Sequence, residues 1–316
     1  CDRILLEKSL TLRRPLPVKV FLGIPRGFCA GVVRAIDVVE LALQRYEHPV
    51  YVKHQIVHNP YVVKSLEDKG AITVEDVDEI PEGATVVFSA HGSPPQDFAK
   101  AEERGLQVID ATCPLVTKVH NEARKYRSEG KKVLLVGHSG HQEVRGTMGQ
   151  VDMTLIDDAD PSDLPDWDAD TEVAVLTQTT LSVGDTAQSI GAIRGRFPDA
   201  LIRNDICYAT TNRQSAVLEM AVLVDVVLVI GAVNSSNCNR LREVAEAQGV
   251  PSYLINGPEE IDPAWLEGVA TVGITSGAST PEVLVESVVK ALNPEKVTVL
   301  PGVEEDVSFT LPKELR

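Results

Sequence analysis

The stretch Ile24–Val32, IPRGFCAGV, decides how this chain reads, because two later stretches repeat its design. An apolar, strand-like run, KVFLG, leads into Cys29 at the edge of the helix-like run VVRAIDVVELALQRY. LQVIDATCP leads in the same way to Cys113 and then to LVTKVHNEARKYRSEG. LIRNDIC leads to Cys207 and, through YATTNRQ, to SAVLEMAVLV. Three of the five cysteines thus occupy equivalent points of three similar segments. We expect their thiolates to converge on one metal centre.

A second set of corners follows the cysteines 28 or 29 residues later, and a third set lies further along each segment. One set is His58 in VYVKHQIVHNP, His141 in KKVLLVGHSGHQE and Ser235 in VVLVIGAVNSSN. The other is His91 in ATVVFSAHGSPP, Thr179 in EVAVLTQTTLS and Ser279 in VATVGITSGASTPE. Each corner lies between an apolar run and an amphipathic segment, the alternation of an α/β protein with mostly parallel sheets. In such sheets ligands bind beyond the carboxyl ends of the strands. The expectation is three similar α/β modules in a pseudo-threefold arrangement that aims nine corners at one central cavity. The modules are read as 25–110, 111–204 and 205–298, the last joined by an N-terminal strand at 18–24. Residues 299–316 form a C-terminal strap and 1–17 a leader of unknown role. Asp157–Asp170 reads as an acidic, solvated connection.

At 316 residues the chain exceeds one ordinary core and suggests two or three domains. A net charge of −16 argues against a nucleic-acid partner, which would need an excess of Lys and Arg. Five widely spaced cysteines point to a reducing cytoplasm rather than to a secreted disulfide framework. Residues 1–17 lack an apolar core of signal-peptide length. The longest apolar run, Ala221–Val233, contains Asp225, is too short to span a bilayer and reads as a buried parallel strand. No membrane role is expected, and Cys1 is given none.

Several corners carry the residues of a helix start. Cys113-Pro114, Asn59-Pro60, Ser93-Pro94 and Thr280-Pro281 place Pro at or near the first helical position. Ser182-x-x-Asp185 and Thr211-x-x-Gln214 resemble capping boxes. Helix N-termini suit phosphate oxygens and lower a thiol's pKa. Three thiolates without a fourth leave a coordination position open, which fits a catalytic zinc or a [4Fe–4S] cluster with one iron free of protein. Cys238 is read as a buried cysteine at a helix start. His58, His91, His138 and His141, with Ser235, Ser236, Asn237 and Ser279, read as an oxyanion cradle. For His141 and Glu143 to serve one site, HSGHQE is expected to be loop, since two residues diverge by about 200° on a helix.

The segments GFCAGV, HNP, SAHGSPP, DATCPLVTKVH, GHSGHQE, TQTTLS, DICYATTNRQ, NSSN and SGASTPE together closely resemble the 4-hydroxy-3-methylbut-2-enyl diphosphate reductase family, in order from Val18 to the PKELR terminus. The resemblance implies a central [4Fe–4S] cluster on Cys29, Cys113 and Cys207. It implies a diphosphate held by His58, His91, His141, Ser235, Ser236, Asn237 and Ser279. It makes Glu143, Thr179 and His141 the catalytic set, with Thr179 placing the substrate hydroxyl and Glu143 feeding protons. The implied reaction is reductive dehydroxylation to isopentenyl and dimethylallyl diphosphate, the last step of the methylerythritol phosphate route. Electrons are expected from a ferredoxin or flavodoxin, because no G-x-G-x-x-G follows a strand. Cys238 departs from the small residue usual in the family.

A proton-carrying Glu143 must be half-protonated near neutrality, which costs roughly 3.7 kcal/mol from an ordinary pKa of about 4.3. One negative charge at about 5 Å, at an effective dielectric near 20, supplies roughly 3.3 kcal/mol. The bound diphosphate is therefore expected to load this acid. The rival readings are a quinolinate synthase-like [4Fe–4S] dehydratase, a zinc hydrolase of phosphate esters and a non-catalytic iron–sulfur redox sensor.

Overall fold

The structure, a computed structural model, describes residues 18–157 and 160–316; the leader and Cys1 lie outside the described residues. A single order of elements is repeated three times. The first copy runs α1 (Ala30–Arg45), β2 (Val50–Lys53), α2 (Pro60–Glu67), β3 (Ala71–Val74), β4 (Thr85–Phe88), α3 (Pro95–Glu103) and β5 (Gln107–Asp110). The second runs α4 (Pro114–Ser128), β6 (Lys132–Gly137), α5 (Gln142–Met148), β7 (Thr154–Asp157), β8 (Val173–Thr177), α6 (Val183–Arg196) and β9 (Leu201–Ile202). The third runs α7 (Tyr208–Ala221), β10 (Val226–Ile230), α8 (Ser236–Ala247), β11 (Ser252–Ile255), β12 (Thr271–Ser276), α9 (Glu282–Leu292) and β13 (Lys296–Val299).

The sheets follow the same plan. Their orders are β3-β2-β4-β5, β7-β6-β8-β9 and β11-β10-β12-β1-β13, and every pairing is parallel. The strand β1 (Lys19–Leu22) enters the third sheet between β12 and β13, with Lys19 opposite Thr271 on one side and Lys296 on the other. The N-terminal strand therefore occupies the place that β5 and β9 hold in the other two sheets. Strands β4, β8 and β10 are buried along their whole length, which is why they read as unbroken apolar runs rather than alternating ones. The three-module α/β expectation holds.

Two local readings need correction here. Ala221–Val233 is not one strand: Ala221 ends α7 and only Val226–Ile230 is extended. Between them the Asp225 carboxylate accepts from the N–H groups of Ala270 and Thr271 and turns the chain into the sheet. Thr211 is not an N-cap, because α7 already starts at Tyr208 with Cys207 as its cap. Gln214 instead reaches to the turn before α6, donating to Leu181 O and accepting from Val183 N. Pro94 and Pro281 are the N-cap residues of α3 and α9, directly beside the first helical position, as expected. The side chain of Asp185 lies outside the described residues.

The tail crosses the modules as an irregular strap ending in a short 3-10 turn, Lys313–Leu315. Leu315 is buried in the core beneath α1. Arg34 of α1 donates to Thr310 O, and Glu305 reaches the fully buried Arg213 of α7. No helix among the described residues is long and apolar enough to cross a membrane.

Candidate active site

Each of Cys29, Cys113 and Cys207 is the N-cap residue of its helix, α1, α4 and α7. Their backbones are non-helical, and the sulfurs of Cys113 and Cys207 lie beside the first backbone N–H groups of α4 and α7. The three corners are anchored alike. Cys29 N donates to Ala278 O, Cys113 N to Ala90 O and Cys207 N to Thr179 O. Each cysteine is thereby fastened to a third-set corner, at or beside Ser279, His91 or Thr179. Gly31 explains how closely the sulfurs approach: a Cβ there would lie 2.7 Å from Cys113 Sγ and 3.8 Å from Cys29 Sγ. Cys207 Sγ lies 3.3 Å from Thr210 Oγ1.

Burial pushes the Cys113 thiol up to about 12 and the Cys207 thiol up to about 11, with neighbouring thiolates adding to both. Thiolates at these positions therefore require a positively charged partner. The donor set suits a cationic metal centre held by three sulfurs.

The histidines form a second cluster. The rings of His58 and His91 stack at 4.0 Å, and His141 meets His58 edge-on at 5.3 Å. Burial lowers His58 to about 3 and His141 to about 4, and carries His91 well below its usual range. All three rings are thus neutral near pH 7. His141 is the N-cap of α5, and its Nδ1 accepts from Glu143 N at 3.1 Å, which leaves the ring proton on Nε2. This cap also corrects the expectation that HSGHQE is loop. Only residues up to His141 are irregular, and Glu143 is the second residue of α5. The extended backbone of the cap lets both side chains line one cavity.

Glu143 is 4% exposed. Its Oε1 accepts from Thr179 N and its Oε2 from Thr179 Oγ1. Burial outweighs these two bonds and raises the carboxyl to about 7, with a smaller push from Asp205. The protein thus raises this pKa before any anion binds, where the sequence alone suggested that the diphosphate would do so.

A cavity of about 120 Å³ is lined by all nine corner residues and by Glu143, Ser236 and Asn237. Ser235 caps α8 by accepting from Cys238 N, while Ser236 donates to Thr180 O and Ser279 to His58 O. The side-chain oxygen and nitrogen of Asn237 are both buried without a hydrogen-bond partner. His138 does not line the cavity; its ring meets Arg240 of α8. Cys238 is fully buried, and a Cβ at Gly231 or Gly277 would collide with its sulfur. A larger groove, about 580 Å³ between α4 and the strap, contains neither cysteine nor histidine. Sequence reasoning missed Gly31, Thr210 and His54, although Gly31 sits two residues past Cys29 and His54 stands in the same VYVKHQIVHNP segment as His58.

Comparison with known proteins agrees with this arrangement. The family model described as LytB protein matches residues 20–293. A 4-hydroxy-3-methylbut-2-enyl diphosphate reductase of Rhodopseudomonas palustris is 55% identical over 306 residues, covering 94% of this chain and 99% of the relative. The solved E-1-hydroxy-2-methyl-but-2-enyl-4-diphosphate reductase of Plasmodium falciparum superposes with a TM-score of 0.90 at 36% identity, over 95% of this chain and 96% of that one. A second solved reductase, described as the terminal enzyme of the non-mevalonate pathway, aligns at TM-score 0.63 and 35% identity over 87% of this chain and 99% of its own. With a family match over most of its length and a relative more than half identical across nearly all of it, the chain belongs to the LytB family of 4-hydroxy-3-methylbut-2-enyl diphosphate reductases, which are oxidoreductases.

Proposed function

We propose that the cavity takes 4-hydroxy-3-methylbut-2-enyl diphosphate and that the protein removes its allylic hydroxyl reductively, giving isopentenyl and dimethylallyl diphosphate and water. The observation that carries this reading is that three cysteine sulfurs, a protonatable carboxyl and a set of neutral polar donors open on one cavity. It is the last step of the methylerythritol phosphate route to isoprenoids, carried out in the cytoplasm. We divide the chain for this purpose into modules 25–110, 111–204 and 205–298 under the strap 299–316.

Cys29, Cys113 and Cys207 are the residues that would hold a [4Fe–4S] cluster. When bound, that cluster supplies the electrons and an iron not ligated by protein. A ferredoxin or flavodoxin is the electron donor. The diphosphate goes to His58, His91, His141, Ser235, Ser236, Asn237 and Ser279. His141 donates from Nε2, because its Nδ1 is occupied by Glu143 N. Asn237 supplies an amide otherwise without partners, and the hydroxyls of Ser236 and Ser279 turn from Thr180 O and His58 O. Neutral donors hold the anion without burying a fixed positive charge beside the sulfurs.

Thr179 Oγ1 places the substrate hydroxyl, and Glu143, bonded to that same Oγ1, delivers the proton with which the oxygen leaves as water. A carboxyl near 7 is suited to the task, because both its forms are populated at neutral pH. The reaction consumes two electrons and two protons for each C–O bond broken.

The test is single-substrate turnover by anaerobically purified, cluster-loaded protein with viologen reduced by dithionite, reading both products by gas chromatography. Both alkenyl diphosphates are expected. A protein whose three cysteines hold zinc in place of the cluster, or one that holds the cluster but leaves the substrate intact, would favour a hydrolase or a redox sensor and end this reading.

A further inference from the structure

We propose that His54, His58 and His91 form a binding site for one borderline transition-metal ion such as Zn²⁺, distinct from the three cysteine sulfurs. One ring nitrogen of each histidine lies within 4.8 Å of those of the other two. Zinc bound at about 2.0–2.1 Å to each imidazole brings tetrahedral nitrogens to roughly 3.3 Å from one another. Completing the site requires the rings of His58 and His91, stacked at 4.0 Å, to turn one nitrogen each toward a common point. Imidazole suits zinc, copper and nickel, and three ligands with a fourth position open are a common zinc arrangement.

Two observations beyond the clustering point to a ligand. His54 Nδ1 lies 2.7 Å from Glu75 Oε2, which directs the ring and leaves Nε2 as its free nitrogen. A carboxylate behind a histidine is the usual outer partner of a metal-bound imidazole. His54 Nε2 and His58 Nε2 are both buried and neither has a hydrogen-bond partner. The His54 ring stands 5.8 Å from each of the other two and at a steep angle to both, so the three rings enclose a corner rather than stack in one pile. The backbone of His54 is also held in the left-handed region at φ 60, costly for a residue with a side chain and typical of functional positions. Its N–H is fixed there by Val74 O at 2.7 Å.

The diphosphate reading makes no use of His54, which does not line the cavity. It does use His58 and His91. An imidazole that coordinates zinc through its inward nitrogen no longer donates an N–H from it, so an occupied site holds the anion on the metal's open position instead of on these donors, and zinc is expected to inhibit turnover. This consequence, unlike the site itself, rests on the proposed role of those two rings.

The test uses the cluster-loaded protein and Zn²⁺ alone. Titration calorimetry is expected to show one zinc per chain, and absorption at the zinc edge a shell of nitrogen and oxygen without sulfur. His54→Asn, chosen because Asn tolerates a positive φ, is expected to lose this binding while keeping turnover and losing inhibition by zinc. Glu75→Gln, which leaves all three ligands in place, is expected to weaken zinc by about 10–100-fold. Sulfur in the zinc shell, or zinc affinity unchanged in both variants, overturns the proposal. Nitrogen-bound zinc that fails to inhibit supports the metal site and overturns the anion role of His58 and His91.

Discussion

Thr179 holds both carboxylate oxygens of Glu143, its N–H donating to Oε1 at 2.7 Å and its Oγ1 to Oε2 at 3.0 Å. Two such bonds by themselves would lower the carboxyl's pKa, yet burial prevails and the group titrates near 7.

Replacing the acid without disturbing this pairing isolates its role. In Glu143→Gln the amide oxygen still accepts from Thr179 N, and the Thr179 hydroxyl can turn to accept from the new NH₂. Substrate binding is expected to persist while turnover falls about 10²–10⁴-fold, the range for a lost general acid. Stability supplies a second readout. The folded pKa lies above the unfolded one, so the cost of the buried charge is absent below about pH 4.3 and complete above about pH 7. Glu143→Gln should therefore gain on the order of 3 kcal/mol relative to the parent between pH 4 and pH 8, read by urea unfolding. An equal effect at both pH values would mean that the carboxyl is not perturbed.

Thr179→Val removes the Oγ1 donor while keeping the backbone one. Losing a bond that lowers the Glu143 pKa shifts the alkaline limb of the pH–rate profile, where the protonated acid is lost, to higher pH, and turnover drops. Thr179→Ser is expected to restore both, which a merely structural threonine would not require.

Gly31→Ala places a methyl group 2.7 Å from Cys113 Sγ. The sulfur must move by several tenths of an ångström, so iron and sulfide content per chain are expected to fall well below those of the parent. Circular dichroism should stay unchanged, since Ala is a better helix former than Gly. Full iron content would show that the cysteines need not converge beside this residue.

Histidine burial carries the opposite sign to that of Glu143. His58 and His141 bind protons more weakly folded than unfolded, so the stability they confer is complete above about pH 6.5 and is lost as the pH falls toward 4 and then 3. A bound anion counters this by favouring the imidazolium. Calorimetry in buffers of different ionisation enthalpy is expected to show proton uptake when diphosphate binds below pH 6.5. No uptake would indicate that the anion does not meet these rings.

Arg213 is fully buried, and its Nη1 donates to both carboxylate oxygens of Glu305 while its Nη2 donates to Gly27 O in the Cys29 corner. Glu305→Ala leaves that guanidinium without its carboxylate, at a cost of about 3–5 kcal/mol. The measurement is urea unfolding of variant and parent. A difference below about 1 kcal/mol would mean that the strap is not fastened here.

The sequence by itself determined the elements and their repetition. Apolar runs marked the buried parallel strands, and cysteines at the edges of helix-like runs marked the caps of α1, α4 and α7. These signals are local, a matter of a few consecutive side chains and the backbone they favour. Even the gathering of nine corners was legible, because identical modules bring identical strand ends to one face. Where a short stretch supported two conformations, as in HSGHQE or Ala221–Val233, the choice came from partners far along the chain.

Only the tertiary structure decided the chemical state of the site. Burial of Glu143, His58 and His141 depends on walls contributed by all three modules, and so do their pKa values. The same holds for β1 between β12 and β13, for Gly31 against Cys113, and for His54 turned toward His58 and His91 by Glu75. Desolvation is a property of what surrounds a group, and no window of sequence contains the surroundings.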